Sequence, residues 1–148
     1  MQVVPRRAFL LPILAITLAA APLTLASGQS DPIGERQAVM KRMDEQAELA
    51  VAMAKGRTAF DAESAAGIFK ALREGGSGFT ALFPAGSESG KTKATSAVWT
   101  DRPGFEAANA AFLKALTDAD VSTPKTFGAA FTGVMRECRA CHQGFKSR

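Results

Sequence analysis

The chain is poor in residue types that carry chemistry. Its 148 residues include two cysteines, one histidine, one tryptophan and no tyrosine. The lack of tyrosine and the scarcity of β-branched runs argue against β-strands. A structural zinc site needs four nitrogen or sulfur ligands, and the cysteines and the histidine together supply only three. The single imidazole also leaves no hydrolytic triad once it has another role.

Both cysteines and the histidine lie in one segment, Cys138-Arg139-Ala140-Cys141-His142. This C-x-x-C-H spacing is the attachment signature of a c-type haem. A thioredoxin-like C-x-x-C would need a βαβ context, whereas the preceding sequence is helical. An ordinary pair of buried thiols is the remaining alternative. We predict one haem c, attached through Cys138 and Cys141, with His142 as an iron ligand.

The N-terminal segment is typical of a secretory signal. Arg6 and Arg7 precede an apolar run over residues 8–26, after which the chain turns polar. We therefore predict a signal peptide over 1–26, a cytochrome domain over 27–148 and a periplasmic location. The run is about long enough to span a bilayer, so an uncleaved anchor is the alternative. Its prolines favour cleavage, and no membrane span is predicted in the mature chain.

The charge of the mature chain excludes nucleic-acid binding. Cleavage removes two of the 18 basic residues and none of the 14 acidic ones, which lowers the formal net charge from +4 to +2. Two haem propionates would cancel that remainder. Proteins that bind nucleic acids need a clear excess of positive charge.

The domain is predicted to be all-α. Caps, prolines and glycines delimit four amphipathic helices, and a bundle is their natural packing. A connection of about 25 residues exceeds the usual helix–helix link, so it should cross the bundle and carry a helical turn of its own. The helices are predicted from about Pro32 to Lys55, Asp61 to Gly75, Asp101 or Pro103 to Asp118, and Pro124 to Phe145.

The apolar stripes place the haem inside an antiparallel four-helix bundle. On the last helix, Cys138, Cys141 and His142 share one face because they lie three and four residues apart. The haem should therefore lie near one end of the bundle. The stripe predicted for the first helix is Ile33, Met40, Met43, Ala47, Val51 and Ala54.

Together these features resemble the class II c-type cytochromes, the cytochrome c′ family. The segments that carry the resemblance are 31–40, 82–87, 98–105 and 138–146, and only the last is highly specific. The resemblance implies a four-helix bundle with one haem c. The family often dimerises through its first two helices, so a homodimer is allowed but not decided.

Elimination among the methionines leaves two candidates for the second iron ligand. Met1 leaves with the signal, and Met135 shares a helix with His142. Met53 lies about 20 Å beyond Met40 at 1.5 Å per residue. Met40 and Met43 remain, and either could instead simply fill core space.

Family register implies Met40. The family's distal residue lies four positions after the arginine of the first helix, here Arg36. A His/Met iron would be low-spin and closed to outside ligands, which suits an electron carrier rather than an enzyme. That pattern resembles the cytochrome c-556 branch, with redox proteins as partners. The alternative is a five-coordinate, high-spin cytochrome c′ that binds NO or CO.

Two cations are assigned supporting roles. Arg36 is one turn before Met40, so its guanidinium could bind a haem propionate, although a solvated surface arginine is the alternative. Lys146 is four residues after His142, where the family usually has a cation near the proximal imidazole. A frayed terminal lysine is the alternative there.

Overall fold

The computed structural model describes residues 31–148, so the predicted signal peptide lies outside the described residues. Within that range the regular secondary structure is helical, apart from one isolated bridge, and turns and irregular segments connect the helices. None of these helices is both long enough and apolar enough to cross a bilayer. The helices are α1 (Pro32–Ala54), α2 (Ala62–Gly76), the 3-10 helix η1 (Phe79–Leu82), α3 (Ala97–Thr100), α4 (Arg102–Thr117) and α5 (Pro124–Phe145).

The four long helices begin where the sequence predicts, because each has a side-chain cap. The Asp31 carboxylate accepts from the Gly34 amide at 2.9 Å, and Asp61 and Asp101 cap α2 and α4 in the same way. Thr123 forms a capping box at the start of α5, with Pro124 in the first turn. These contacts satisfy amide groups that no helix can pair internally.

The four long helices form the predicted bundle. Helix α1 packs against α2 and α5, and α4 packs against α2 and α5. The crossing connection between α2 and α4 carries two short helical turns, η1 and α3. The all-α bundle and its long crossing connection are therefore confirmed.

Two apolar clusters fill the bundle. The cluster at the end of the bundle that carries Cys141 and His142, named the near cluster, is Phe79, Phe83, Val98 and Phe105. Met40, Cys141 and Phe145 pack against it. The far cluster is larger and joins all four long helices; its aromatic members are Phe69, Phe112, Phe127 and Phe131. The crossing connection thus supplies most of the near cluster, whereas the long helices build the far one.

The buried face of α1 differs from the predicted stripe. Ala54 is exposed, whereas Met53 is only 8% exposed and Ala50 is fully buried. Arg36 is 4% exposed, so a charged side chain takes a core position. Small and apolar residues of α1 are spread around most of its circumference. Its faces therefore differ little in hydrophobicity, and the 3.6-residue period is weak.

Candidate cofactor site

A cavity of about 950 Å³ opens between α1, α4, α5 and the crossing connection. This volume is near the upper end of the range for small-molecule sites. Met40, Phe83, Phe105 and Phe112 contribute apolar walls. Cys138, Cys141 and His142 all line the same cavity, so the structure brings the whole motif to it.

The two thiols lie one turn apart on α5, at the junction of the two clusters. Cys138 packs against the far cluster and Cys141 against the near cluster. Burial raises the pKa of both thiols, and for Cys138 the neighbouring Cys141 adds to the increase. Both are free cysteines, one on each side of the junction, as attachment to two points of one flat group requires.

His142 lines the cavity and is exposed to solvent. Partial burial of the ring lowers its pKa, and the nearby Lys146 lowers it further. A lowered pKa keeps the imidazole neutral, which is the form that binds a metal. Lys146 is thus placed to act electrostatically on the imidazole, and its effect on a bound iron stays a prediction.

The methionines divide between the two clusters. Met40 packs with the near cluster, beside Cys141, and lines the cavity from α1. Met43 also lines the cavity but packs with the far cluster. Met135 reaches the cavity from α5, the helix of His142, whereas Met53 is buried in the far cluster.

Arg36 is a buried anchor for the crossing connection. Its guanidinium donates to the Ser87 carbonyl at 2.8 Å, to the Ser87 hydroxyl at 3.1 Å and to the Thr92 hydroxyl at 2.9 Å. It also lies 4.6 Å from the Phe83 ring centroid and 5.7 Å from that of Trp99. The surface alternative for Arg36 is therefore wrong. Arg36 also lines the cavity. Binding of a haem propionate by its guanidinium therefore stays a prediction.

A wall that the sequence does not predict forms between the crossing connection and residues 145–147. Ala94 and Lys146 form an antiparallel bridge. The Thr95 amide donates to the Phe145 carbonyl at 3.0 Å, and the Ser147 amide to the Lys93 carbonyl at 2.8 Å. These segments lie about fifty residues apart, and no periodic pattern in either one signals the pairing. We name this two-segment wall (residues 93–95 and 145–147) the ribbon.

The residues of the cavity fit a haem c. An apolar slot suits the porphyrin, two thiols on one helix face suit thioether attachment, and a neutral imidazole suits the iron. Cys138 and Cys141 would hold the group covalently, and His142 would bind the metal. Met40 would face the group from α1.

Comparisons with known proteins agree with that chemistry. The family model described as Cytochrome C′ matches residues 31–146. Cytochrome c′ of Rhodopseudomonas palustris is 31% identical over 142 residues, which are 91% of this chain and 97% of the relative. Cytochrome c-556 of Agrobacterium tumefaciens is 28% identical over 118 residues, which are 77% of this chain and 95% of the relative.

Solved structures give the same result for the fold. The crystal structure of cytochrome c′ from Rubrivivax gelatinosus is similar at a TM-score of 0.73 with 30% identity, covering 79% of this chain and 95% of that one. Cytochrome c′ from Rhodopseudomonas palustris reaches 0.76 with 31% identity, covering 81% and 98%. The chain therefore belongs to the cytochrome c′ family, whose members are monohaem c-type cytochromes with a covalently attached haem c.

Proposed function

We propose that the protein is a periplasmic carrier of single electrons, with the iron of its haem c held between His142 and Met40. The observation that supports this is the position of Met40. It packs in the same apolar cluster as Cys141 and lines the same cavity as His142, but from a different helix. A ligand from a second helix can reach the opposite face of a porphyrin attached to α5.

Met43 is the weaker candidate because its side chain has another role. A Cβ atom placed on Gly75 would lie only 2.7 Å from the Met43 Cγ, so Met43 fills the space that this glycine leaves between α1 and α2. Turning its sulfur into the cavity would open a gap between the two helices. Met40 instead packs with the near cluster, to which α2 contributes none of the described residues.

The haem supplies one-electron chemistry, and the chain's own residues adapt it to electron transfer. A thioether ligand raises the reduction potential because its neutral sulfur favours ferrous iron. His142 is kept neutral by burial and by Lys146, so it can stay bound in both oxidation states. With the haem bound, the apolar walls would limit contact between the iron and water. Such a site transfers electrons without transforming a substrate, so we propose no enzymatic activity.

The periplasmic location rests on the N-terminal segment, with its two arginines and the apolar run over residues 8–26. Fractionation of cells that produce the full chain should place the holoprotein in the periplasm. Intact-mass measurement should show loss of residues 1–26. Holoprotein retained in the membrane at full-chain mass would instead establish the uncleaved anchor.

A five-coordinate, gas-binding cytochrome is the second candidate. The relative with the higher identity and coverage is named cytochrome c′, whereas the cytochrome c-556 relative matches a smaller share of the chain. In that case Met40 packs beside the iron without bonding it. The iron would then be high-spin and open to NO or CO.

Spectroscopy of the ferric holoprotein separates the two functions. For the carrier we expect a low-spin paramagnetic resonance signal and a near-infrared sulfur-to-iron band. Met40→Leu should abolish the band and convert the signal to high-spin. Met43→Leu is the matched control and should leave both unchanged. A high-spin signal with NO uptake in the unmodified protein would overturn the carrier, and loss of the band in Met43→Leu alone would move the ligand to Met43.

A further inference from the structure

The mouth of the cavity carries an excess of exposed cations. Lys91, Lys93, Arg139 and Lys146 all line the cavity and are exposed. Within residues 31–148, none of the four forms an ion pair. We name these four residues the basic rim.

The acidic residues at the same mouth do not neutralise the basic rim. Asp44 and Glu137 are the acidic side chains that line the cavity. Glu137 is already paired with Arg136 at 3.0 Å, and Glu45 beside Asp44 pairs with Lys41. Among the residues of the chain, four cations therefore face the solvent with one unpaired carboxylate, and this excess would remain positive even with both haem propionates at the mouth.

Two structural features hold the basic rim in place. The ribbon fixes Lys93 beside the segment of Lys146, since the Ser147 amide and hydroxyl both donate to the Lys93 carbonyl. The Gln37 side chain donates to the Lys91 carbonyl, which ties the same loop to α1. Arg139 lies on α5, within the attachment motif. Hydrogen bonds to the backbone thus hold Lys91, Lys93 and Lys146 in place, while their ammonium groups form no ion pair among residues 31–148.

Elsewhere along the helices, many cations are neutralised locally. Lys70, Arg102 and Lys114 each pair with a carboxylate four residues further on. The mature chain has a formal charge of only +2 by the predicted cleavage. Other exposed cations without an ion pair, such as Arg42, Lys55 and Lys125, are accompanied by unpaired carboxylates, so the net positive charge of the described residues lies at the opening of the cofactor cavity.

We infer that the basic rim is the docking surface for the acidic face of a redox partner protein. This inference rests on the proposed electron-carrier function, because the cavity mouth is where the cofactor is nearest to solvent. Opposite charge at this mouth would steer a partner so that its redox centre faces the haem edge. Electrostatic steering of this kind raises association rates by about 10- to 1,000-fold at low salt.

The test uses inorganic redox probes and the complete holoprotein. Stopped-flow absorption would follow the transfer of one electron from the ferrous protein to hexacyanoferrate(III), which yields ferric protein and hexacyanoferrate(II). We expect the rate constant to fall about tenfold as ionic strength rises and screens the cations. The cationic oxidant tris(phenanthroline)cobalt(III) should show the opposite salt dependence. Rates are compared after correction for each variant's measured potential.

Charge reversal locates the surface. The double variant Lys91→Glu/Lys93→Glu should slow hexacyanoferrate(III) about tenfold at low salt and accelerate the cobalt complex. Lys55→Glu/Lys125→Glu is the matched control, since both lysines are exposed, form no ion pair among the described residues and lie at the other end of the bundle. It makes the same change in net charge and should leave both rates within about twofold, because distant charges are screened. Equal effects of the two double variants would overturn the basic rim.

A soluble acidic polymer separates a macromolecular docking surface from a site for small anions. Poly-L-glutamate should slow hexacyanoferrate(III) with the unmodified protein by covering the rim, and should have no effect on Lys91→Glu/Lys93→Glu. Failure to compete would overturn the docking surface. The spectrum of the ferric protein tests the proposed iron ligand independently. The salt dependences report only the charges of the basic rim, so they are expected whether the iron is low-spin or high-spin.

Discussion

Arg36 shows how one residue can hold the cavity wall. Its three short hydrogen bonds join α1 to Ser87 and Thr92 in the crossing connection. Burial lowers the pKa of Arg36, partly offset by Asp31 and Glu88, but a guanidinium stays charged at any ordinary pH. A buried guanidinium is tolerated when its N–H groups are hydrogen-bonded. Loss of the guanidinium would leave the buried acceptor oxygens unpaired, which costs free energy.

Replacement of Arg36 should destabilise the protein. Arg36→Ala removes the bonds to the loop and leaves buried oxygens without donors, which should lower the free energy of unfolding by about 2–4 kcal/mol. Arg42→Ala on the exposed face of α1 is the control and should change it by less than about 0.5 kcal/mol. Urea unfolding of the holoproteins measures both. Equal stabilities would mean that Arg36 does not anchor the connection.

At the scale of the element, two of the three glycines of α2 have opposite surroundings. A Cβ on Gly76 would lie 2.8 Å from the Phe112 Cε1 and 3.0 Å from the Leu113 Cδ2, whereas a Cβ on Gly67 would meet nothing within 4 Å. Gly76 therefore allows α2 and α4 to approach closely. No close approach to another element requires a glycine at position 67, so Gly67 only lowers the helix propensity of α2.

Alanine at these two positions should shift stability in opposite directions. Gly76→Ala forces α4 away and should cost about 1–3 kcal/mol. Gly67→Ala in the same helix should gain about 0.5–1 kcal/mol by its higher helix propensity. Thermal or urea unfolding of the two holoproteins gives the signs directly. A stabilising Gly76→Ala would show that the two helices can separate without loss.

The elements could be predicted from sequence because their signals are local. Asp31 with Pro32, and Thr123 with Pro124, mark helix starts within a few residues. The attachment motif is likewise contiguous, so the cavity's reactive groups were predictable. The burial of Arg36 was not predictable, since a charged side chain in a core position has no hydrophobic signature. The ribbon was not predictable either, because pairing between distant irregular segments leaves no periodic trace.

At the scale of the whole molecule, equally buried phenylalanines differ in whether they line the cofactor cavity. Phe127 is 1% exposed and packs against Phe60, Phe69 and Phe131 at the end away from the motif. Phe105 is 2% exposed and packs against Phe145, three residues after His142. Both are buried to the same degree but lie in different clusters.

The two phenylalanines should therefore give different phenotypes. Phe127→Ala and Phe105→Ala should each lower the free energy of unfolding by about 3–5 kcal/mol. Only Phe105→Ala should also change the Soret band and the reduction potential, because only Phe105 lines the cavity. Unfolding curves and redox titrations of both holoproteins measure this. An altered spectrum in Phe127→Ala would show that the clusters are coupled.

The ribbon also sets an order of events in the making of the protein. The segment at 93–95 has no partner until residues 145–147 have been synthesised, and those follow the attachment motif. Until then the slot lacks one side, so its wall can close only after both cysteines of the motif are in place. We expect closure of the slot to be a late event in the folding of the chain.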